Sequence, residues 1–350
     1  MAKDSSRNSA AATNDISLRG KVAFLSSPQA YTGFEGEVDV KETHMAWVFL
    51  TEDRVYKLKK PVEYNHRDCH VLRDREFLCH EEVRLNRRLA PEVYLGVASL
   101  RLDSEGRLAL NGEGEVVDWL VVMKRLPEHL MLDVALSQGT VTKAGVTRVA
   151  ERLSSFYQGL EPVEMSVETY LDHFKCELDR NREVITDARF SLARDGVAPM
   201  LDRLDRLVDQ EPDLLRERAR QGRIVEGHGD LRPEHVCLSE PPVVIDCLEF
   251  SRPLRLVDPF DELSFLGLEC DRLGAAWIGE LLVNECAQTL LDWPDRRLLA
   301  FYTAYRACLR ARLSLAHLLE PDPRTPDKWE PQAEDYLALG QRACRELDAP

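Results

Sequence analysis

The sequence predicts an α+β fold in which a β-rich first part is followed by a mainly helical remainder. Two short runs of β-prone residues, AWVFL and RVYKL, and one near-continuous apolar run, VVDWLVVM, all precede residue 126. After residue 140 the apolar residues recur with the period of an α-helix. We therefore expect a small β-rich lobe over residues 21–126 and a larger helical lobe over residues 127–350.

Composition limits the classes of protein to consider. The 350 residues are 44% hydrophobic and 31% charged, as is usual for soluble globular proteins. The net charge of −15 argues against a nucleic-acid partner, because a phosphate backbone requires a basic face. No apolar run approaches the roughly 20 residues that a membrane helix needs, so no membrane partner is expected.

The N-terminus and the cysteines indicate the compartment. Residues 1–20 are small and polar and lack the apolar core of a signal peptide, so they are expected to form a disordered tail. Nine scattered cysteines, with no Cys-x-x-Cys pair, predict reduced thiols rather than disulfides or a zinc site. A cytoplasmic location is therefore expected.

In the first part, AWVFL and RVYKL form a predicted hairpin around the polar turn Thr51–Asp53. A helix is predicted over Leu72–Leu89, because leucines recur there along one stripe. Glu82 lies on the same stripe, where an acid is unexpected. Strands are predicted over Val93–Leu100 and Val116–Met123.

In the second part, helical periodicity covers residues 146–160, 166–185 and 198–210. Three short strand-like pieces, RIVEG, VCL and VVI, then follow within about 25 residues, and the last two are expected to pair as a hairpin. A late helix carries a stripe with Tyr302 and Tyr305, which we assign to the core. Arg306, Arg310 and Arg312 on this helix are interpreted as a solvated face, with contact to an anionic substrate as the alternative.

The residues that indicate chemistry lie between Glu226 and Glu262. A loop between two strands can lie next to the end of a neighbouring strand. That arrangement would bring Asp230, His235 and Asp246 together. Phosphoryl transfer needs one carboxylate to orient the attacking hydroxyl, another to hold Mg²⁺, and a cation to offset charge on the transferred group. Asp230, Asp246 and Arg232 are assigned to these three roles in that order.

The segment HGDLRPEHV, followed by VVID, resembles the catalytic loop and metal-binding strand of the protein-kinase-like superfamily, above all its aminoglycoside phosphotransferase-like branch. The run DPFDEL, from Asp258 to Leu263, is similar to the Asp-Pro-x-x-Asp-Leu segment of that branch, whose second acid braces the catalytic loop. The resemblance covers roughly residues 41–320. It implies a bilobal protein-kinase-like fold and places His228 with the catalytic group, where it braces the loop through a backbone hydrogen bond.

The resemblance also implies a nucleotide site. Lys57 would pair with Glu82 and contact the phosphates of ATP, with Lys59 as the alternative lysine. Residues near Met123, Lys124 and Arg125 would form the hinge that binds adenine through the backbone. Some members of this subgroup carry a further C-terminal P-loop ATPase domain, whose Gly-x-x-x-x-Gly-Lys-[Ser/Thr] motif does not occur in this sequence.

Two departures from the family pattern affect the expected site. His235 stands where the family has an asparagine that ligates a second Mg²⁺, and imidazole suits Mn²⁺ better than Mg²⁺. Glu249 is a further candidate near the metal, either as an outer acid or as a substrate contact. No Gly-x-Gly-x-x-Gly loop occurs in the first hairpin, where THMAW stands instead.

The sequence thus predicts an ATP- and Mg²⁺-dependent kinase that acts on a hydroxyl of a small molecule. A nucleotide-binding pseudokinase is the alternative that His235 and the missing glycines suggest. A protein kinase is the third possibility, but no Asp-Phe-Gly or Ala-Pro-Glu motif occurs to mark an activation segment.

Overall fold

The computed structural model describes residues 16–61, 63–64, 67–68, 70–190, 192, 196–320, 323 and 325–348. The described chain divides into two compact units. The first contains the described residues up to Arg87 together with Pro91–Arg125, and the second contains Arg88–Ala90 and the described residues from Leu126 onward. The predicted lobe boundary at residue 126 lies at this division, but the prediction did not include the transfer of Arg88–Ala90 to the second unit.

The first unit is built on an antiparallel sheet of six strands, in the order β1-β2-β3-β8-β6-β7. Its elements are α1 (Leu18–Leu25), β1 (Asp39–Glu42), β2 (Ala46–Leu50), β3 (Arg54–Lys59), β4 (Glu63–Tyr64), β5 (Arg67–Asp68), α2 (Leu72–Asn86), β6 (Tyr94–Leu102), β7 (Leu108–Leu110) and β8 (Glu115–Lys124). The predicted hairpin is confirmed as β2 and β3, and the two predicted strands as β6 and β8.

A small apolar cluster holds this unit together. Alternate residues of the strands face α1, so that Phe49, Leu58, Leu100 and Leu120 are fully buried together with Leu25. Residues 1–15 of the predicted tail lie outside the described residues. Residues 18–20 were predicted to belong to the same tail, but they form the first turn of α1.

The second unit is mainly helical. Its elements are α3 (Leu132–Ser137), α4 (Lys143–Gln158), α5 (Val167–Ile185), α6 (Val197–Gln210), α7 (Asp213–Arg220), β9 (Val225–Glu226), β10 (Val236–Cys237), β11 (Val243–Val244), β12 (Leu256–Val257), α8 (Pro259–Arg272), α9 (Trp277–Leu290), α10 (Arg296–Ala316) and α11 (Trp329–Glu346). The four short strands form two antiparallel pairs, β10 with β11 and β9 with β12. The three predicted helices are confirmed as α4, α5 and α6, and the second predicted hairpin as β10 and β11.

Helix α2 is shorter than predicted. It ends at Asn86 rather than at Leu89, because the residues that follow have partners in the second unit. The Arg88 guanidinium donates hydrogen bonds to the carbonyl oxygens of Glu226 and Gly227 at 2.7 and 2.8 Å, and Leu89 packs in the core of that unit.

The helix α10 is buried on several sides. The prediction of a core position is confirmed for Tyr302 and Tyr305, which are almost fully buried. The interpretation of the arginines as a solvated face is wrong. Arg306 is buried, and the structure pairs Arg306, Arg310 and Arg312 with the carboxylates of Asp261, Glu269 and Glu177, respectively. None of the helices within the described residues combines the length and apolar character needed to cross a lipid bilayer.

Candidate active site

The loop that follows β9 is fixed by an acid at the start of α8. Asp258 caps this helix through its side chain, which accepts a hydrogen bond from the N–H of Phe260. In the first turn, the Glu262 carboxylate accepts hydrogen bonds from the backbone N–H groups of His228, at 3.0 Å, and Gly229, and from the Tyr157 hydroxyl at 2.9 Å. Two adjacent backbone donors on one buried carboxylate fix the path of the chain into Asp230.

Two positions in this loop require glycine. A Cβ at Gly227 would collide with the Glu262 carboxylate, and Gly229 has a φ of +90°, which side-chain-bearing residues rarely adopt. The glycine before His228 therefore follows from the approach of Glu262, and the glycine after it follows from its backbone conformation. Glu262 occupies the position of the second acid in the Asp-Pro-x-x-Asp-Leu pattern.

His228 links the loop to the strand beside it. Its Nε2 donates to the carbonyl oxygen of Ile245 at 2.8 Å, and its Nδ1 accepts from the N–H of Asp230 at 3.3 Å. These two partners assign the proton to Nε2 in the neutral ring. Burial, together with the neighbouring His235 ring, lowers the pKa of His228 to about 4, so the ring is neutral near pH 7. The side chain thus makes the backbone hydrogen bond that the resemblance implied.

The Asp230 carboxylate has one restrained oxygen. Arg232 approaches Oδ2 with its Nε at 3.0 Å and its Nη2 at 2.9 Å, and within the described part of the chain no hydrogen bond ends on Oδ1. Burial would raise the pKa of Asp230, but the charge of Arg232, helped by His235 and Arg310, outweighs burial and lowers it. The carboxylate is therefore ionised at neutral pH and has an oxygen that can accept a hydrogen bond.

The structure brings Asp230, His235 and Asp246 together, as the sequence predicts. The His235 Nδ1 donates to the carbonyl oxygen of Asp230 at 2.7 Å, and its Nε2 lies 3.6 Å from Oδ2 of Asp246. Asp246 has a φ of +63°, and 43% of its side chain is exposed. Backbone strain of this kind is common at functional sites, where the surrounding structure holds the residue in place.

The donor set fits a divalent cation at Asp246. A half-exposed carboxylate is a suitable ligand for Mg²⁺, which keeps several waters and needs only one or two protein oxygens. The Nε2 of His235 is less suitable, because Nη2 of Arg232 lies 3.3 Å away and a guanidinium at that distance repels a metal ion.

The predicted metal candidates Asp246, His235 and Glu249 do not converge on one point. Among the described residues, no three His, Cys, Asp or Glu side chains converge in a way that could hold a metal ion. Asp246 and His235 thus stay the candidates for direct metal contact, and Glu249 stays a candidate outer acid or substrate contact. Glu249 lies in a segment that Arg255 holds by its backbone, with Nη1 donating to the carbonyl oxygens of Leu248 at 2.6 Å and Glu249 at 3.3 Å.

In the first unit, both candidate lysines pair with Glu82. Lys57 and Lys59 are two positions apart on β3 and share a face, so their ammonium groups reach the same carboxylate. The Lys57 Nζ lies 3.0 Å from Oε1 of Glu82, and the Lys59 Nζ lies 2.5 Å from Oε2. The side chain of Lys57 is 14% exposed, that of Lys59 is 5% exposed, and Glu82 is fully buried. The acid on the apolar stripe of α2 is thus explained by two cations.

A second buried carboxylate fixes α2 against the sheet. Asp118 on β8 accepts a hydrogen bond from Arg75 of α2 at 2.7 Å and another from Lys21 of α1 at 2.9 Å. The helix is therefore held in the position from which Glu82 faces β3.

The predicted hinge has backbone donors that are already used. The N–H of Lys124 donates to the carbonyl oxygen of Val93 at 2.8 Å, and the N–H of Arg125 donates to that of Asp53 at 2.8 Å. Met123 is buried at the end of β8. An adenine contact at these residues therefore cannot use the N–H groups of Lys124 and Arg125 while the sheet is intact.

The sequence analysis named Arg310 but did not predict its buried partner. Its Nε lies 2.7 Å from Oε1 of the buried Glu269, and its positive charge is among those that lower the pKa of Asp230. Helical periodicity placed this residue on α10 but gave no indication of the carboxylate from α8 that it faces. An arginine near an apolar stripe, with no acid within four residues, is the only signal that the sequence offers.

The comparisons with known proteins add relatives of this chain. No family model matches it. The chain is 31% identical over 291 residues to uncharacterized proteins of Mycobacterium tuberculosis and Mycobacterium bovis. The match covers 82% of this chain and 56% of those proteins, so the chain spans little more than half the length of these relatives.

Solved structures share the fold at low sequence identity. A choline/ethanolamine kinase family protein from Mesorhizobium loti is 15% identical, with a TM-score of 0.56 and 95% of each chain covered. A thermostable mutant of an aminoglycoside phosphotransferase, in ternary complex with AMP-PNP and hygromycin B, is 13% identical, with a TM-score of 0.53 and 93% and 97% of the chains covered. This chain therefore shares the fold of these kinase structures, which is the fold that the resemblance of the segment HGDLRPEHV implied.

Proposed function

We propose that this protein is an ATP-dependent kinase that transfers a phosphoryl group to a hydroxyl of a small molecule. The observation that carries this proposal is the state of Asp230. Its carboxylate is ionised, Arg232 restrains one oxygen, and a braced loop holds its backbone. A carboxylate that is ionised and held in this way can orient an attacking hydroxyl and accept its proton.

Each candidate site residue of the second unit has a role in this scheme. Oδ1 of Asp230 accepts the hydrogen bond of the acceptor hydroxyl and aligns its oxygen for in-line attack. Arg232 offsets negative charge near the reacting oxygens, and the neutral His228 keeps the loop fixed during turnover. Asp246 would hold a divalent cation, which neutralises charge on the phosphate oxygens when it is bound.

In the first unit, we assign phosphate binding to Lys57. Its side chain is the more exposed of the two lysines that pair with Glu82, so it can exchange one carboxylate oxygen for a phosphate oxygen. Lys59 then keeps the buried Glu82 paired. Met123, Lys124 and Arg125 stay our candidates for the adenine contact through backbone groups other than the two occupied N–H donors.

The test is the variant Asp230→Asn. The amide keeps the shape but cannot accept a proton, so we expect ATP turnover to fall by roughly 10²- to 10⁴-fold with unchanged calorimetric binding of ATP. Asp213→Asn, on an exposed position of α7, is the matched control for removal of a carboxylate from this unit. Turnover that survives in Asp230→Asn contradicts the mechanism.

A second candidate function is a nucleotide-binding module without transfer activity. The guanidinium of Arg232 beside Nε2 of His235 favours it, because that cation lies near the place where the family has a metal ligand. Metal-dependent ATP binding by the unaltered protein, without release of ADP in the presence of any hydroxyl compound, is the result that distinguishes this candidate.

The location is also a proposal. All eight cysteines within the described residues are free, and seven of them are buried. We therefore assign the protein to a reducing compartment, the cytoplasm.

A further inference from the structure

Four helices of the second unit surround a cavity of about 700 Å³. Its lining comes from α8, α9, α10 and α11. Among the described residues that line it, none is a candidate residue of the active site. The volume is within the range of roughly 300–1,000 Å³ that is usual for small-molecule sites.

Small residues leave this space between the helices. A Cβ on Gly267 of α8 would lie 2.9 Å from the Cα of Gly279 on α9, and a Cβ on Gly279 would lie 3.0 Å from the Cα of Gly267. The two helices are therefore in direct backbone contact at residues that line the cavity. Ala300 of α10 and Ala343 of α11 are buried and also line it, so two short side chains leave room in the other two helices.

The buried part of the lining is mainly apolar. Leu263 and Leu268 are at most 2% exposed, and the partly buried Val283, Leu299 and Leu339 line the same cavity. These side chains favour a ligand with an apolar body, because its surface leaves water when it packs against them.

A hydroxyl in this buried lining has no hydrogen-bond partner. Ser264 is 6% exposed, and within the part of the chain that the structure describes its Oγ makes no hydrogen bond. This atom is not among the unpartnered polar atoms that are sealed from solvent, so it faces open space, and the cavity is the space that Ser264 lines. Buried polar groups in proteins are normally satisfied, so this hydroxyl is available to a ligand.

Thr303 supplies a second hydroxyl from α10. It is partly buried and lines the same cavity. Its Oγ1 makes no hydrogen bond to any described residue, although a helical threonine commonly bonds the carbonyl oxygen one turn earlier. A hydroxyl can both donate and accept, so Ser264 and Thr303 can both bind a hydroxyl group of a ligand.

The charged residues of the lining lie toward solvent. Asp271 forms an ion pair with Arg342, and Glu280, Arg296 and Glu346 are exposed. A charged ligand group among the buried leucines would lose its hydration without gaining an opposite charge, which is strongly unfavourable. An uncharged polar group loses far less and gains hydrogen bonds to the two hydroxyls.

We propose that this cavity binds an uncharged small molecule that has an apolar body and a hydroxyl group. Ser264 and Thr303 bind the hydroxyl group, and the leucines and Val283 surround the apolar body. The site is additional to those proposed for the nucleotide and the phosphate acceptor. It does not depend on the proposed function, because its residues are separate from Asp230 and its partners.

The experiment measures the binding of four probes to the full chain. The probes are 2-naphthalenemethanol, 2-methylnaphthalene, 2-naphthoate and 2-naphthylmethylammonium, which share one ring system and differ in the polar group. Each probe is held at a fixed concentration below its solubility while the protein is titrated, and broadening of the probe's proton NMR lines gives the dissociation constant. We expect 2-naphthalenemethanol to bind with a dissociation constant on the order of 0.1 mM, at least about 10-fold more tightly than the two charged probes.

Variants then assign the binding to the cavity. Ser264→Ala and Thr303→Val each remove one hydroxyl and should weaken binding of the alcohol by about 2- to 10-fold, with unchanged binding of 2-methylnaphthalene. Thr289→Val, at an exposed position of α9 outside the lining, is the control. Ala300→Leu and Ala343→Leu fill the cavity from two different helices and should abolish binding of both probes, and circular dichroism checks that these variants fold.

Charged probes that bind as tightly as the alcohol overturn the uncharged class. Failure of the alcohol to bind the unaltered protein overturns the site, and so does binding that is unchanged in Ser264→Ala and Thr303→Val. Binding that is lost in Asp230→Asn would assign the probe to the active site and would also overturn the inference. None of these measurements requires phosphoryl transfer, so a failure of the proposed kinase activity is distinguishable from a failure of this site.

Discussion

The Glu262 carboxylate accepts a hydrogen bond at 3.0 Å from the backbone N–H of His228, and its other oxygen accepts from Gly229. Burial raises the pKa of Glu262 and outweighs the hydrogen bonds that Gly229, His228 and Tyr157 donate to it. The loop that presents Asp230 is thus positioned by an acid that makes no contact with Asp230 itself within the described residues.

Glu262→Gln should loosen this loop. A glutamine offers one carbonyl oxygen and turns an N–H group toward a backbone N–H, so one of the two donors loses its partner. We expect a loss of about 1–3 kcal/mol in the free energy of unfolding and a fall in kcat larger than the change in the KM for ATP. Urea unfolding and steady-state kinetics measure the two effects. Asp271→Asn, near the other end of α8, is the control, and equal effects of the two variants contradict the bracing role.

The two lysines on Glu82 should be distinguishable in ATP binding. Lys57→Met is expected to raise the dissociation constant of ATP by about 10-fold or more, since a charge-assisted hydrogen bond to phosphate is lost. Lys59→Met should change it less, because Lys59 is assigned to Glu82. Lys60→Met, at a lysine paired with Glu42 instead, is the control. A larger effect of Lys59→Met would reverse the assignment.

The same residues should be non-additive in stability. Each single variant leaves one ammonium group on Glu82, whereas the double variant removes both from a carboxylate with no exposed surface. We expect the double variant to lose about 3–5 kcal/mol, more than the sum of the single losses, in urea unfolding. Adding Glu82→Gln to the double variant should restore part of that loss, and simple additivity would show that the lysines do not share the acid.

His228 should make stability depend on pH. Its pKa of about 4 in the folded protein lies below the ordinary value of 6.5. Between these values the unfolded chain binds a proton that the folded chain does not, so acidification from pH 6.5 to pH 4 should cost up to about 3 kcal/mol. Unfolding of His228→Gln should lack this part of the slope, and His129→Gln, at an exposed position, should retain it. A slope that is identical in His228→Gln and the unaltered protein is the contrary result.

The metal preference should follow His235. His235→Asn replaces the imidazole with a shorter side chain that ends in an amide oxygen, and Mg²⁺ prefers oxygen ligands. We expect the Mg²⁺ concentration for half-maximal turnover to fall several-fold and the ratio of Mn²⁺- to Mg²⁺-supported rates to decrease. Metal titrations of turnover measure both, with His317→Asn as the control. Unchanged titrations would show that position 235 does not contact the metal.

Local patterns carried much of the prediction from sequence. The hairpin of β2 and β3, the strands β6 and β8, and the meeting of Asp230, His235 and Asp246 all depend on short stretches of chain with clear periodicity or turn residues. The position of Glu82 on an apolar stripe likewise argued against a surface acid and favoured a buried ion pair. A second lysine on the same acid was predictable in principle, because β3 places every other residue on one face.

Ion pairs between helices that are far apart in the chain could not be predicted from the sequence. Arg306 and Arg310 on α10 looked solvated because the period of a helix gives its faces but not its neighbours. Their partners, Asp261 and Glu269, come from α8. The end of α2 was misplaced for a similar reason, since the partners of Arg88 lie 138 and 139 residues away in the chain.

That assignment of Arg88–Ala90 to the second unit affects any attempt to divide the protein. A fragment that begins at Leu126 lacks the Arg88 guanidinium, which donates to the carbonyl oxygens of Glu226 and Gly227 directly before the loop that carries Asp230. Such a fragment would carry Asp230 and Glu262, but neither carbonyl group at the start of the loop would have its guanidinium donor. A single cut cannot separate the two units, and complementation between halves of this protein should succeed only when the break leaves residues 88–90 able to reach the larger part.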